Sequence, residues 1–215
     1  PAQEQVEKVI NNLKITLATT VVLYDNQGIY SSPRAWWILK SFGLARVYIL
    51  DGGLPEWIKH NYPVSSEYVT HPLCQHRVEL SSSLVFNADS VVLKHQVIEN
   101  LSTNEFSVID VRAVDRFGGV AQEPRKGVRR GHIPNSINLP FELLLNDNKY
   151  KSPAELQKLF SSMGQDDARR LVFSCGSGIT ACIGLVAALL ANYTNISLYD
   201  GSWSEWGSDL SLPVK

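Results

Sequence analysis

Two stretches of the chain share one pattern of hydrophobic and polar positions. In residues 21–44, and again in residues 171–193, a short β-prone apolar run precedes a glycine-containing loop and a longer apolar stretch of helical character. Each stretch predicts a strand, a loop and a helix in that order. A second match follows, because VYILDGGLPEW at 47–57 aligns with ISLYDGSWSEW at 196–206. Two matches in one order, about 150 residues apart, predict duplicated domains.

The segments between these repeats define the expected domain boundaries. The weakly periodic stretch between the copies predicts a linker at 71–84, with a first domain over 1–70 and a second over 85–215. FSVIDVR at 106–112 has the continuous apolar run of a buried parallel strand. Alternating strands and helices predict two α/β domains with mainly parallel central sheets flanked by helices.

Two helix boundaries can also be predicted in the second domain. Ser152 and Pro153 are typical of a cap and a first helical position, and Gly164 is typical of a helix end. The apolar stretch after the second glycine-containing loop predicts a helix that begins near Ile179.

The repeat also predicts that the first domain is incomplete. Far fewer residues precede Asp25 than precede its counterpart, Cys175, within the second domain. Losing strands and helices leaves apolar faces uncovered, so we expect self-association or a complementing fragment.

Composition narrows the class of protein. The chain is 44% hydrophobic and 19% charged over 215 residues, which is typical of a soluble globular protein. A net charge of −1 argues against a nucleic-acid partner. The longest apolar stretch, near 183–191, is far shorter than the roughly 20 residues of a membrane span. Cys74, Cys175 and Cys182 form no CxxC pair, so we expect no metal site and a reducing, cytoplasmic compartment.

The loop after the second apolar run carries the candidate chemistry. Cys175 is followed by Gly176, Ser177 and Gly178. Glycines allow a sharp turn in which successive N–H groups point inward, and the following helix adds its positive end. Such a loop lowers the pKa of a thiol and predicts a nucleophile. The alternative, a small buried residue, is what we expect for Cys182.

Other cysteine chemistries lack their partners. A cysteine phosphatase needs an arginine at position 181, which holds Ala181. A thiol protease needs a positioned histidine, and nothing in the sequence pairs His132 with the loop. Sulfur transfer needs neither residue.

Several motifs together resemble one family. VIDVR, the RF and EPRKGVRRGHIPNSINLPF segments, CGSGIT and YDGSWSEW resemble the second domain of tandem-domain rhodaneses, and YSSPRAWWILKSFG and LDGGLPEW resemble the first. The loop itself resembles that of the family's 3-mercaptopyruvate sulfurtransferases. The resemblance implies two rhodanese-like domains, the first incomplete and catalytically silent, with Asp25 in the place of the cysteine.

The resemblance also implies a reaction that uses no cofactor. Cys175 takes sulfur from 3-mercaptopyruvate as a persulfide, releases pyruvate, and passes the sulfur to a thiol, thioredoxin or cyanide. Two alternatives stay open, namely a thiosulfate:cyanide sulfurtransferase and a non-catalytic binding module. The family's remaining site residues map by motif onto Ser177 as a proton-transfer residue, and onto Arg116, Arg125, Gly176, Gly178, Ile179, Thr180 and Tyr30 as substrate-binding residues.

Further family motifs predict structural roles. Asp110, Arg112 and His132 are expected to hold turns and the loop behind the cysteine. Trp57 and Trp206 are expected in the two cores. Arg129 and Arg130 are expected to be solvated charges.

Overall fold

The structure, a computed structural model, describes residues 1–67, 84–164 and 168–215. It divides into two compact units, Pro1–Ala88 and Asp89–Lys215. Of the linker predicted at 71–84, only Leu84 is among the described residues, and Cys74 lies outside them.

The first unit is built around one pair of parallel strands. Strand β1 pairs with β2, and Val22 is opposite Tyr48. Both of these side chains are exposed, at 56% and 55%, so one face of the pair is open to solvent. The elements of the unit are helix α1 (Gln3–Asn12), strand β1 (Val21–Leu23), helix α2 (Ser32–Ser41), strand β2 (Val47–Ile49) and helix α3 (Gly53–Lys59). Its core consists of Val6, Ile10, Ile15, Phe42, Leu44, Val47 and Leu84.

The second unit contains a four-stranded parallel sheet. Its strand order is β4-β3-β7-β8, formed by β3 (Phe106–Asp110), β4 (Ile137–Asn138), β7 (Arg170–Ser174) and β8 (Ile196–Leu198). An antiparallel pair, β5 (Leu145–Asn146) and β6 (Lys149–Tyr150), lies outside this sheet. The helices are α4 (Lys94–Thr103), α5 (Val114–Phe117), α6 (Pro153–Ser162), α7 (Ala181–Leu190) and α8 (Ser202–Trp206), with a 3₁₀ turn at Phe141–Leu144. A further 3₁₀ turn, Ala88–Ser90, spans the boundary between the two units in the sequence. The predicted α/β fold with parallel sheets and flanking helices is confirmed.

Helix α7 and strand β7 form the centre of the second unit. Eight consecutive residues of α7, from Ala181 to Ala188, are buried, which explains why the helix is apolar on every side. Gly184 allows the helix to approach the sheet closely, because a Cβ there would lie 2.7 Å from Phe173 Cδ1 and 2.9 Å from Val111 Cγ1.

The predicted helix boundaries hold in one case and need correction in another. Ser152 caps α6 in a capping box with Glu155, Pro153 is the first helical residue, and Gly164 follows the helix at φ +69°. Helix α7 begins at Ala181 and not near Ile179. The turn that leads into the helix has hydrogen bonds of the 3₁₀ type, between residues three apart. Cys182 N donates to Ile179 O, and Ile183 N donates to Thr180 O.

The predicted repeat is visible in the hydrogen bonds. Leu54 N donates to Asp25 O at 2.8 Å, and Trp203 N donates to Cys175 O at 3.0 Å. In each unit, a backbone N–H just after the DG pair therefore holds the glycine-containing loop, which follows β1 in the first unit and β7 in the second.

The two tryptophans of the repeat differ in burial. Trp206 is fully buried in the second core, as predicted. Trp57 is only half-buried, which corrects the prediction for the first unit. Its indole donates to Pro63 O and packs on Tyr62 at 4.7 Å between ring centroids.

The packing around Gly184 leads to a test. Gly184→Ala should destabilise the protein by about 1–3 kcal/mol, because the new methyl group overlaps Phe173 and Val111. Helix propensity alone predicts the opposite sign, a gain of roughly 1 kcal/mol. Urea denaturation distinguishes the two, and a more stable variant would contradict the packing argument.

Candidate active site

The thiol of Cys175 lies at the junction of β7 and α7. Its residue is 2% exposed, and its Sγ accepts a hydrogen bond from Gly178 N at 3.1 Å. Gly178 has φ +79°, a left-handed conformation that favours glycine and turns the loop back toward the sulfur. The predicted turn around the sulfur is therefore present.

The other predicted loop residues differ in their access to solvent. Gly176, Ser177 and Thr180 are half-buried, and Ile179 is 40% exposed. The thiol is therefore enclosed, while its surrounding loop is partly open.

The start of α8 holds the backbone of the cysteine. Cys175 N donates to Ser202 Oγ at 3.2 Å, Trp203 N donates to Cys175 O, and Ser204 N donates to Gly176 O at 2.9 Å. Ser202 is fully buried and has φ +52°. The DGSWSEW motif thus fixes the loop from behind, a role that its sequence did not reveal.

Both predicted arginines lie beside the loop. Arg116 Nη2 is 3.0 Å from the position that a Cβ would take on Gly176. Arg125 is exposed, and its Nη1 donates a long hydrogen bond of 3.4 Å to Gly176 O. Two guanidinium groups therefore approach the residue that follows the thiol.

A row of alternating charges leads to Arg116. Arg112 Nη2 is 2.6 Å from Asp110 Oδ2, and its Nη1 is 2.9 Å from Glu123 Oε1. Glu123 Oε2 then accepts from Arg116 Nη2 at 2.6 Å. Burial lowers the pKa of the Arg116 guanidinium, but the hydrogen bond and charge of Glu123 outweigh it and raise the pKa.

Sequence reasoning identified three members of this row but missed Glu123. Asp110 and Arg112 are each 2% exposed and have the structural roles predicted for them. The only signal for Glu123 was its place two residues before Arg125, in the EPR segment.

The histidine and the arginine pair near the GHIP motif have different outcomes. His132 stacks on Phe117 at 3.8 Å between centroids and donates from Nδ1 to Phe117 O, which agrees with its predicted structural role. Arg130 is exposed, as predicted. Arg129 corrects the prediction, because its guanidinium donates to four carbonyl oxygens, those of Trp206, Gly207, Asp209 and Leu212.

Cys182 is a buried thiol in the first turn of α7. It is 0% exposed and donates from Sγ to Gly178 O at 3.4 Å, so it belongs to the core, as predicted.

The equivalent loop of the first unit is filled by its own carboxylate. Asp25 accepts the backbone N–H groups of Tyr30, Ser31 and Ser32 at 2.8–3.1 Å, and also the Ser31 hydroxyl. Burial raises the pKa of Asp25, but these hydrogen bonds outweigh it and lower the pKa. Tyr30, predicted to bind substrate, lies on this loop of the first unit and is 41% exposed.

Residues 1–67, 84–164 and 168–215 contain no group of three histidine, cysteine or acidic side chains that could hold a metal ion. None of their helices combines the length and hydropathy needed to cross a membrane.

The fold and the loop define a class of protein, an α/β domain in which a buried thiol lies between a parallel strand and a helix and is flanked by arginines. The model of the rhodanese-like domain matches residues 1–60 and 93–209. The chain therefore belongs to the rhodanese-like family, as the motifs predicted.

Among curated proteins, the chain is 40% identical over 198 residues to the 3-mercaptopyruvate sulfurtransferase of Mus musculus, covering 91% of this chain and 65% of that protein. It is 36% identical over 210 residues to the thiosulfate sulfurtransferase of the same species, covering 96% of this chain and 69% of that protein. The chain thus spans about two thirds of the length of these relatives.

A solved structure extends the comparison. SseA from Escherichia coli, whose structure is described as showing the rhodanese fold and catalytic mechanism of 3-mercaptopyruvate sulfotransferases, superposes with a TM-score of 0.80. It is 32% identical, and the match covers 95% of this chain and 74% of that one.

The Asp25 loop generates a prediction about pH. Asp25→Asn should lower the free energy of unfolding by about 1–3 kcal/mol at pH 7, because the variant loses the negatively charged hydrogen-bond acceptor at the start of α2. Since the folded pKa is lowered, the stabilisation is complete above the unfolded value of 3.8 and is lost as the pH falls through the folded pKa.

Urea titrations of the wild type and of Asp25→Asn over this pH range provide the measurement. The gap between them should close at low pH. Glu67→Gln, an exposed carboxylate of the same unit, controls for the loss of one charge. A gap that stays constant with pH would contradict the role of the ionised carboxylate.

Proposed function

We propose that the chain is a sulfurtransferase that moves sulfur from 3-mercaptopyruvate through a persulfide on Cys175. The observation that carries this proposal is the thiol itself, enclosed by a loop whose Gly178 N–H points at Sγ and flanked by Arg116 and Arg125. The relatives named above support the same donor.

The loop supports the first half of the reaction. The Cys175 thiolate attacks the sulfur of 3-mercaptopyruvate, so an S–S bond forms and the C–S bond breaks. The electron pair of the broken bond passes to the substrate carbon as an enolate, which takes a proton and leaves as pyruvate. Inward N–H groups stabilise a thiolate or a persulfide because both are anionic or strongly polarised. Ser177 is the residue we propose for the proton step.

The two arginines support recognition of the donor. A planar guanidinium suits a carboxylate, and Arg116 and Arg125 reach the loop from the same chain segment. We propose that they bind the carboxylate and keto oxygens. The loop residues proposed to contact the substrate are Gly176, Gly178, Ile179 and Thr180. The substrate contact of Tyr30 rests on the resemblance alone and stays a prediction.

In the second half of the reaction, an acceptor thiolate attacks the outer sulfur of the persulfide. With a thiol or thioredoxin as acceptor, a new S–S bond forms on the acceptor, and Cys175 leaves as a thiolate. Cyanide is the alternative acceptor: its carbon attacks the outer sulfur, a C–S bond forms, and thiocyanate and the Cys175 thiolate are released. These acceptors, a cytoplasmic location and self-association stay predictions.

A thiosulfate sulfurtransferase is the second candidate, favoured by the 36% identity to the mouse enzyme of that name. Gly176 favours mercaptopyruvate instead, because a residue without a side chain leaves room for Arg116 beside the loop. A side chain at this position would begin 3.0 Å from Arg116 Nη2 and would displace the guanidinium that we propose binds the keto acid.

Direct comparison of the two donors tests this preference. We expect kcat/KM for 3-mercaptopyruvate to exceed that for thiosulfate by about tenfold or more, because only the keto acid offers a carboxylate to the arginines. Equal values, or a preference for thiosulfate, would favour the second candidate.

The persulfide can be tested on the chain itself. After incubation with 3-mercaptopyruvate, intact-mass measurement should show a gain of one sulfur, about 32 Da, on the wild type. Cys175→Ser should show no gain and should lower pyruvate release by about 1,000-fold or more.

Cys182→Ala is the matched control, since it removes the neighbouring buried thiol and leaves the nucleophile. It should still gain the sulfur. A wild-type chain that never gains the mass would instead indicate a non-catalytic binding module.

A further inference from the structure

Glu123 is an enclosed carboxylate that lies between two guanidinium groups. Its side chain is 4% exposed. Oε1 accepts from Arg112 Nη1 at 2.9 Å and from Arg116 Nε at 3.2 Å, while Oε2 accepts from Arg116 Nη2 at 2.6 Å. A carboxylate is stable in such a place only when it is paired and hydrogen-bonded, and here both oxygens are used.

The charge that Glu123 balances is that of Arg116. Arg112 already has an acidic partner, since its Nε and Nη2 both donate to Asp110 at 2.6–3.0 Å. Arg112 also donates to Gly131 O. Arg116 forms an ion pair with Glu123, and its side chain is 28% exposed. Without Glu123, this guanidinium would have an open route to solvent.

The contact also sets the direction of the guanidinium. Glu123 binds the edge of Arg116 formed by Nε and Nη2, and two parallel bonds on one edge fix the plane of the group. In that plane, Nη2 lies 3.0 Å from the Cβ position of Gly176. The remaining Nη donors are therefore held beside the Cys175 loop before any ligand arrives.

We propose that Glu123 is a positioning residue for anion recognition at Cys175. Its carboxylate holds Arg116 over Gly176, so that the outer edge of the guanidinium meets the carboxylate of the incoming donor without reorganisation. The identity of that donor as a keto acid rests on the proposed function, whereas the role of Glu123 does not require turnover.

The sign of one measurement separates this role from simple charge attenuation. If Glu123 only weakens the positive potential of the site, Glu123→Gln should bind anions more tightly, because a negative charge is removed. If Glu123 positions Arg116, the same variant should bind anions more weakly, because the guanidinium is no longer held. If Glu123 only fills space, the variant should bind anions as tightly as the wild type does.

Protection of the thiol by a keto acid provides the readout. The concentration of pyruvate that halves the rate of Cys175 alkylation by iodoacetamide should rise about tenfold in Glu123→Gln, which corresponds to the loss of one oriented charge contact. Arg116→Met should raise it as well. Adding Glu123→Gln to Arg116→Met should produce no further change, because Glu123 acts through Arg116.

Two controls accompany this cycle. Glu142→Gln removes one exposed carboxylate from the same unit and should leave the pyruvate concentration unchanged. Glu123→Asp keeps the charge but cannot span both arginines, so it should also raise the concentration, and it replaces Glu123→Gln if that variant fails to fold. Thermal melting and the rate of alkylation without pyruvate check that the thiol itself is undisturbed.

The outcomes also separate this proposal from the proposed function. Tighter or unchanged protection in Glu123→Gln, or additive effects in the double variant, would overturn the positioning role. No protection of the wild type by pyruvate would overturn it as well. If pyruvate protects as expected but 3-mercaptopyruvate adds no sulfur to Cys175, the positioning role stands and the proposed reaction fails.

Discussion

The buried guanidinium of Arg112 joins the segments on which the site of the second unit depends. It is 2% exposed, and a charge in that environment must be fully paired. Its donors reach Asp110 at the end of β3, Glu123 in the loop after α5 and the carbonyl oxygen of Gly131, the first residue of the GHIP motif.

The face of the same group lies 4.6 Å over the ring of Trp203. The backbone N–H of that tryptophan in turn holds Cys175 O. One cation thus links the segment that carries the arginines to the loop that carries the thiol. Because Arg112 must be paired, its contacts hold these two segments in a fixed arrangement.

Much of the second unit could be predicted from its sequence because its signals are local. The apolar runs of β3 and β7, the capping residues of α6 and the glycines of the Cys175 loop each carry their meaning in a few neighbouring residues. The same holds for the match between the two loops, which the hydrogen bonds of Asp25 and Cys175 reproduce.

What the sequence could not predict depends on contacts that follow no periodic pattern and that form only when the chain folds. Arg129 had the composition of a solvated charge, but its acceptors are carbonyl oxygens contributed by residues 206–212. Glu123 had no periodic neighbour to mark it, and only the folded chain shows that Arg112 and Arg116 share it. Trp57 kept its motif but not its burial, since its indole turns to Pro63 O.

The left-handed residue at the start of α8 illustrates how stability and chemistry select different residues. The first unit places Gly53 at φ +55° in the equivalent turn, where a Cβ would meet Asp25 O at 2.5 Å. The second unit keeps a serine at φ +52°, although this conformation favours glycine. A redesign guided by backbone preference would choose glycine at position 202. It would thereby delete the hydroxyl that accepts the N–H of Cys175, so this is a position where a more relaxed chain would have a less well-defined nucleophile.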